Sequence, residues 1–93
     1  MDPKNPEYYL NYAYAYSDKA TVMLEGTDNL SQKEYMAVKK KSDEVLKLAL
    51  PYYEKAHELA PGDMSYARAL RQCYYRLHMD KEYEALSAEM QNY

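Results

Sequence analysis

Apolar positions recur every three or four residues along most of this chain. From Tyr35 onward, Val38, Ser42, Val45, Ala49, Tyr52, Ala56 and Leu59 keep that rhythm, which predicts one helix of about 30 residues, or ~45 Å. The run Ser31-Gln-Lys-Glu34 is a capping box at its start, and Leu30 with Tyr35 can close a hydrophobic staple around it. Pro51 falls inside the pattern. Proline offers no amide hydrogen to the Lys47 carbonyl, so a kink between Lys47 and Pro51 is expected; the intact rhythm on both sides argues against a break.

The same rules place the flanking elements. Pro3 and Pro6 punctuate a polar leader, residues 1–6, and a first helix over about residues 7–25 ends with Gly26 as its C-terminal cap residue. The long helix covers about residues 31–60 and stops at Pro61-Gly62. Asp63 caps a third helix, about residues 64–77, with the stripe Ala67, Leu70, Tyr74 and Leu77. His78 stands where a glycine more usually ends a helix. Asp80 is expected to cap a fourth, about residues 81–91, carrying Tyr83, Leu86 and Met90. No alternating pattern competes, so the class is all-α and residues 7–93 form a single domain.

Composition narrows the possible functions. With 93 residues, a thin core is expected, because a domain of this size buries only about 60 to 65% of its unfolded surface. No apolar run approaches the ~20 residues of a membrane span, so no membrane insertion is expected. The net charge of -3 argues against nucleic acid or an anionic membrane as main partner. The N-terminus has no apolar stretch of a signal peptide: a complete chain is expected to be cytoplasmic, and a periplasmic or secreted location would require that a signal had been removed. Thirteen tyrosines with neither phenylalanine nor tryptophan mean that each buried ring must still deliver its hydroxyl to water or an acceptor. Tyrosines are therefore expected at layer edges.

The most specific run is Ala49, Tyr53, Ala56 and Pro61, two small residues and an aromatic on a narrow helix face that a neighbour can approach closely. It resembles the second helix of a tetratricopeptide repeat, a helix-turn-helix unit of about 34 residues. Tyr9, Tyr12, Ala13 and Tyr16 sit at the spacing of that family's first-helix signature. A second repeat would begin with Ala67, Leu70, Arg71 and Tyr74, with Arg71 where the family prefers glycine. The resemblance implies a right-handed stack of helical hairpins, four antiparallel helices in all. The stretch between Tyr16 and Ala49 exceeds what one repeat needs, which implies a first hairpin longer by about three turns on each arm. In it, Val22 or Met23 is expected to touch Val38 and Tyr35.

The resemblance implies a protein-protein interaction or scaffold module with no catalytic activity, no cofactor and a protein or peptide as partner. Its groove carries over to Leu10, Tyr14, Ser17 and Asp18 on the first helix and to Arg68, Gln72, Tyr75 and Arg76 on the third. Guanidinium forks beside an aromatic suit an acidic or carboxylate-bearing peptide. The lysine and asparagine arrangement of the carboxylate-clamp members is not reproduced, which speaks against capture of a peptide terminus. The plainer reading pairs these arginines with acidic neighbours. A second functional reading is a self-associating structural protein, a homodimer: two repeats rarely suffice alone, and Tyr8, Tyr9 and Leu10 at one end with Met90 and Tyr93 at the other are expected to stay uncovered. A second copy or an upstream repeat would cover them.

Catalytic chemistry has few candidates. Two glycines cannot build a phosphate-cradling loop. Glu54 and His57 have the Glu-x-x-His spacing of di-iron bundles, which keeps a metal-binding helical-bundle enzyme as a remote alternative. Such a site needs a second copy and two further carboxylates that the chain lacks, so both side chains are expected in solvent and no metal is expected. Cys73 reads as a small hydrophobe, and Lys39-Lys40-Lys41, interleaved with Glu34, Asp43 and Glu44, as a solvated face.

Overall fold

The computed structural model describes residues 5–92; the leader as far as Lys4, including Pro3, and the terminal Tyr93 lie outside the described residues. It contains four helices, α1 (Pro6–Met23), α2 (Gln32–Leu59), α3 (Met64–Arg76) and α4 (Asp80–Met90), and no strand among the described residues. Each boundary falls within two residues of the sequence expectation.

Local chemistry explains the ends. The Asn5 side chain accepts from the Glu7 amide, and Pro6 supplies the preset φ of a first helical residue. Past Met23 the chain turns through Gly26 at φ 73, and the Thr27 hydroxyl donates to the Leu24 carbonyl at 2.8 Å. Ser31 Oγ accepts from the Glu34 amide at 3.2 Å and donates to Glu34 Oε1 at 2.9 Å. The capping box thus closes through the serine hydroxyl rather than through its backbone amide. Asp63 accepts from the Ser65 amide at 2.8 Å and starts α3.

Helix α3 ends in a Schellman motif built on a non-glycine residue. His78 has φ 58, its amide donates to the Tyr75 carbonyl at 3.1 Å, and the Met79 amide donates to the Tyr74 carbonyl at 2.9 Å. Asp80, expected as a cap, is instead the first residue inside α4, capped by the Met79 backbone with no side-chain hydrogen bond. Asp80 and Glu82 still place negative charge at the positive end of α4. Pro51 is exposed on α2, which runs through it unbroken.

Packing follows chain order: α1 on α2, α2 on α3, α3 on α4. Tyr12 and Tyr16 meet Tyr52 while Ala20 meets Ser42, so α1 and α2 run antiparallel. The buried face of α2 is Ser42, Leu46, Ala49, Tyr53 and Ala56. It shares Ser42, Ala49 and Ala56 with the stripe read from the sequence, but Leu46 and Tyr53 are buried where that stripe had Val45 and Tyr52, which are half-buried beside them, as are Val38 and Leu59. Ala13 and Ala20 of α1, Ala67, Leu70, Cys73 and Tyr74 of α3, and Leu86 and Met90 of α4 complete the core. Of the residues expected to pack, Tyr9 and Tyr16 are half-buried, Tyr12 is 46% exposed but stacked on Tyr52, and Pro61 is exposed in its turn.

The chain is elongated. Its radius of gyration is 14.6 Å, against about 12 Å for a compact domain of this length, and its extents are 43 × 32 × 15 Å. The long dimension is the length of α2. The short one matches two layers of helices, since an interaxial distance of about 10 Å plus two Cα radii of about 2.3 Å gives about 15 Å.

Several expectations are corrected here. Val22 is 60% and Tyr35 37% exposed, so of the four residues expected to meet on the first hairpin Met23 and Val38 are the half-buried two, and the last buried pair is Ala20 with Ser42. Met90, expected to be uncovered, is buried against the core; it faces α3 because α4 folds back at the His78 turn. His57 is not in solvent. Its side chain is only 14% exposed, with Nε2 at 3.3 Å from Glu89 Oε1 of α4.

Candidate functional site

Helices α1 and α3 leave a cleft between them, floored by α2, with a volume of about 380 Å³. From α1 it receives Tyr14, Ser17 and Asp18; from α3, Arg68, Gln72 and Arg76, together with Ser65, Ala69 and Cys73. Leu46 and Tyr53 of α2 lie beneath. Six of the eight residues assigned to a groove from the sequence thus line one cavity. Leu10 does not: it packs against the core. Tyr75 does not either. It is 64% exposed, one position round the helix from the cleft, tilted against Tyr83 at 5.9 Å.

The α3 wall is built by helical spacing. Arg68, Gln72 and Arg76 are four residues apart and so share one face. Neither arginine has a carboxylate within ion-pair distance among the described residues, where the salt bridges are Lys39 with Asp43, Lys55 with Glu58, and His57 with Glu89. The plainer reading, in which both guanidinium groups pair with acidic neighbours, does not hold. Arg76 Nη1 donates to Ser17 Oγ across the cleft at 3.1 Å, which fixes one end of the wall and leaves its other donors free for a ligand.

The floor is apolar and rigid. Tyr53 is 4% exposed, and its ring meets Tyr14 edge to face at 6.0 Å. Burial raises its phenol pKa, while a hydrogen bond with Ser17 and the nearby Arg76 offset part of the rise. At neutral pH it is a neutral hydroxyl beside a cation. Burial likewise pushes the Cys73 thiol up to about 11, although Arg76 opposes the shift. A thiol held protonated in this way is a packing group and a poor nucleophile or metal ligand.

The remaining candidates resolve into structure. The Tyr74 hydroxyl donates to Glu54 Oε2 at 3.1 Å, and burial, then the Glu54 charge, raises its pKa. Glu54 and His57 are thereby engaged with two different helices, α3 and α4. No group of three or more His, Cys, Asp or Glu side chains among the described residues could hold a metal ion. The Lys39 ammonium pairs with Asp43 at 3.3 Å, and Lys40 and Lys41 are exposed. No helix among the described residues is long and apolar enough to cross a membrane.

A second surface feature went unread in the sequence. Tyr9, Tyr16, Leu48, Pro51 and Tyr52 line an apolar hollow of about 530 Å³ on the outer side of α1 and α2, flanked by Lys47 and Lys55. Its signal was available: Leu48 and Pro51 sit off the buried stripe of α2, on the same side as Tyr52. Comparison with known protein families, curated proteins and solved structures finds no match to this chain.

Proposed function

We propose that this chain is a protein-interaction module of the tetratricopeptide-repeat type, without catalytic activity, whose α1–α3 cleft receives an acidic segment of another protein. One observation carries the reading: Arg68 and Arg76 flank Gln72 on an open wall and, among the described residues, neither has a carboxylate within ion-pair distance. A guanidinium fork suits a carboxylate, and two of them on one helix face suit a segment that carries two. The two-layer, chain-order packing supports the repeat-type reading, because solenoids place each unit against its sequence neighbours only.

The test is fluorescence anisotropy with labelled peptides of matched length, one rich in glutamate and one rich in lysine. The acidic peptide is expected to bind, more weakly as salt rises, and to lose affinity on Arg68→Glu at unchanged melting temperature. Equal binding of both peptides, or binding indifferent to salt and to Arg68→Glu, would refute the proposal.

Self-association is a second reading, favoured by a different observation. The outer hollow holds Leu48, 54% exposed, beside Tyr52, on whose ring Tyr12, 46% exposed, is stacked. Sedimentation equilibrium of the wild type against Leu48→Lys tests it: a dimer that the substitution dissociates supports this reading, and a concentration-independent monomer removes it.

A further inference from the structure

We propose that the cleft selects extended segments in which two acidic side chains stand four residues apart with a hydrogen-bonding side chain midway. This rests on the reading of the cleft as the partner-binding face and adds the register in which a partner would be read. Arg68, Gln72 and Arg76 all line the cleft from one helix. At 1.5 Å per residue, their Cα atoms stand about 6 and 12 Å apart along the helix axis.

An extended chain rises about 3.3 Å per residue and presents every second side chain to the same side. Residues i, i+2 and i+4 therefore arrive at about 6.6 and 13 Å. Three side chains of the ligand meet three side chains of α3 in register, and the mismatch of about 1 Å at the far end is within the reach of an arginine. Spacings of three or five put the second acidic group on the opposite side of the strand, facing away from Arg76.

The middle position follows from Gln72. Its amide offers both a donor and an acceptor, which an asparagine, glutamine, serine or threonine at i+2 can answer and an aliphatic side chain cannot. The other wall of the cleft sets the side on which the segment lies. Asp18 projects from α1, and its negative charge opposes a carboxylate there, so an acidic segment runs along α3.

A helical ligand reads a different register. Its residues rise about 1.5 Å each, so it meets both arginines only with acidic groups at i and i+8, and glutamates four apart on a helix stand about 6 Å apart and reach one arginine alone.

The experiment uses end-blocked, labelled peptides of nine residues with identical composition, two glutamates and one asparagine in a glycine and serine background. The glutamates are placed three, four or five apart, and binding to the full chain is read by anisotropy. The four-apart peptide with central asparagine is expected to bind at least about tenfold tighter than the other two. Replacing asparagine by leucine should weaken it, and Gln72→Ala should abolish that preference. Arg68→Glu, at an exposed position with no ion-pair partner among the described residues, should remove the dependence on spacing, and lysine in place of the glutamate facing it should restore affinity to this variant. Acidic peptides that all bind alike, or a helix-forming peptide with glutamates eight apart that binds tightest, would overturn the register while leaving the cleft reading intact. Failure of every acidic peptide to bind would overturn both.

Discussion

Replacing Ala49 by leucine tests the packing of small residues between α1 and α2. Ala49 is 0% exposed between Leu46 and Tyr53 on α2, in the same cluster as Ala13 and Ala20 of α1, each also 0% exposed. Three extra carbons have nowhere to go unless the helices separate, and overpacking of this kind costs about 1 to 3 kcal/mol. Helix propensity hardly contributes, since leucine is nearly as good a helix former as alanine. For a domain of this size each kcal/mol lowers the melting temperature by about 4 to 8 °C. Ala49→Leu should therefore melt lower by at least about 4 °C, read by circular dichroism at 222 nm. Lys41→Leu on the exposed side of the same helix is the control, expected within about 0.5 kcal/mol of wild type. Equal melting of the two variants would mean that the small residues on α1 and α2 do not form a close seam.

Three further outcomes are expected. His78→Gly should raise stability by about 1 kcal/mol, because φ 58 strains a residue with a Cβ; an unchanged or lower urea midpoint would contradict the Schellman geometry. Native Cys73 should resist iodoacetamide at pH 8 and react on unfolding in urea, since burial holds its pKa near 11; the folded pKa lies above the unfolded one, so its contribution to stability is complete below about pH 9 and lost as pH rises towards about 11, with Tyr53 and Tyr74 shifted in the same direction. A urea midpoint that rises between pH 9 and 11 would refute that sign. His57→Ala should cost more than Glu58→Ala, because His57 is largely buried against α4 whereas the Glu58 side chain is 71% exposed; equal costs would place His57 back in solvent.

Much of this was legible because it depends on local chemistry. The close-packing face Ala49, Tyr53 and Ala56 and the caps at Ser31 and Asp63 need only their own neighbours in sequence, and they appear where the pattern put them, whereas the longer stripe is one residue off at Leu46, which is buried in place of Val45. Assignments that depended on a partner helix fared less well. His57 looked solvated because Tyr53 and Ala56 claim the inward face, but α4 returns across that side of α2 and brings Glu89 to it. Met90 looked like an uncovered end for the same reason. Ser42 fitted the apolar rhythm while being polar; only the placement of α1 reveals its acceptor, the Ala20 carbonyl at 2.8 Å. That neither Arg68 nor Arg76 forms an ion pair among the described residues could not be read from the sequence either, because it depends on where the fold sets the carboxylates: Asp18 lines the same cleft beyond ion-pair distance, while Glu54 is diverted to Tyr74, Glu58 to Lys55 and Glu89 to His57.

That diversion of carboxylates ties the cleft to the core. Tyr74 belongs to the buried face of α3, and its hydroxyl reaches the edge of the layer where Glu54 accepts it, as the absence of phenylalanine requires. The same helix turns Arg68, Gln72 and Arg76 the other way, into the cleft. Tyr53 does the corresponding work on α2, with its ring in the core and its hydroxyl beside Ser17, the residue that also accepts from Arg76. A side chain held by packing at one end and by a hydrogen bond at the other has little freedom left to lose. Tyr53 and the Arg76 end of the wall are therefore preorganised, and a ligand spends little affinity on ordering the protein there, whereas the exposed Arg68 and Gln72 are ordered by the ligand itself.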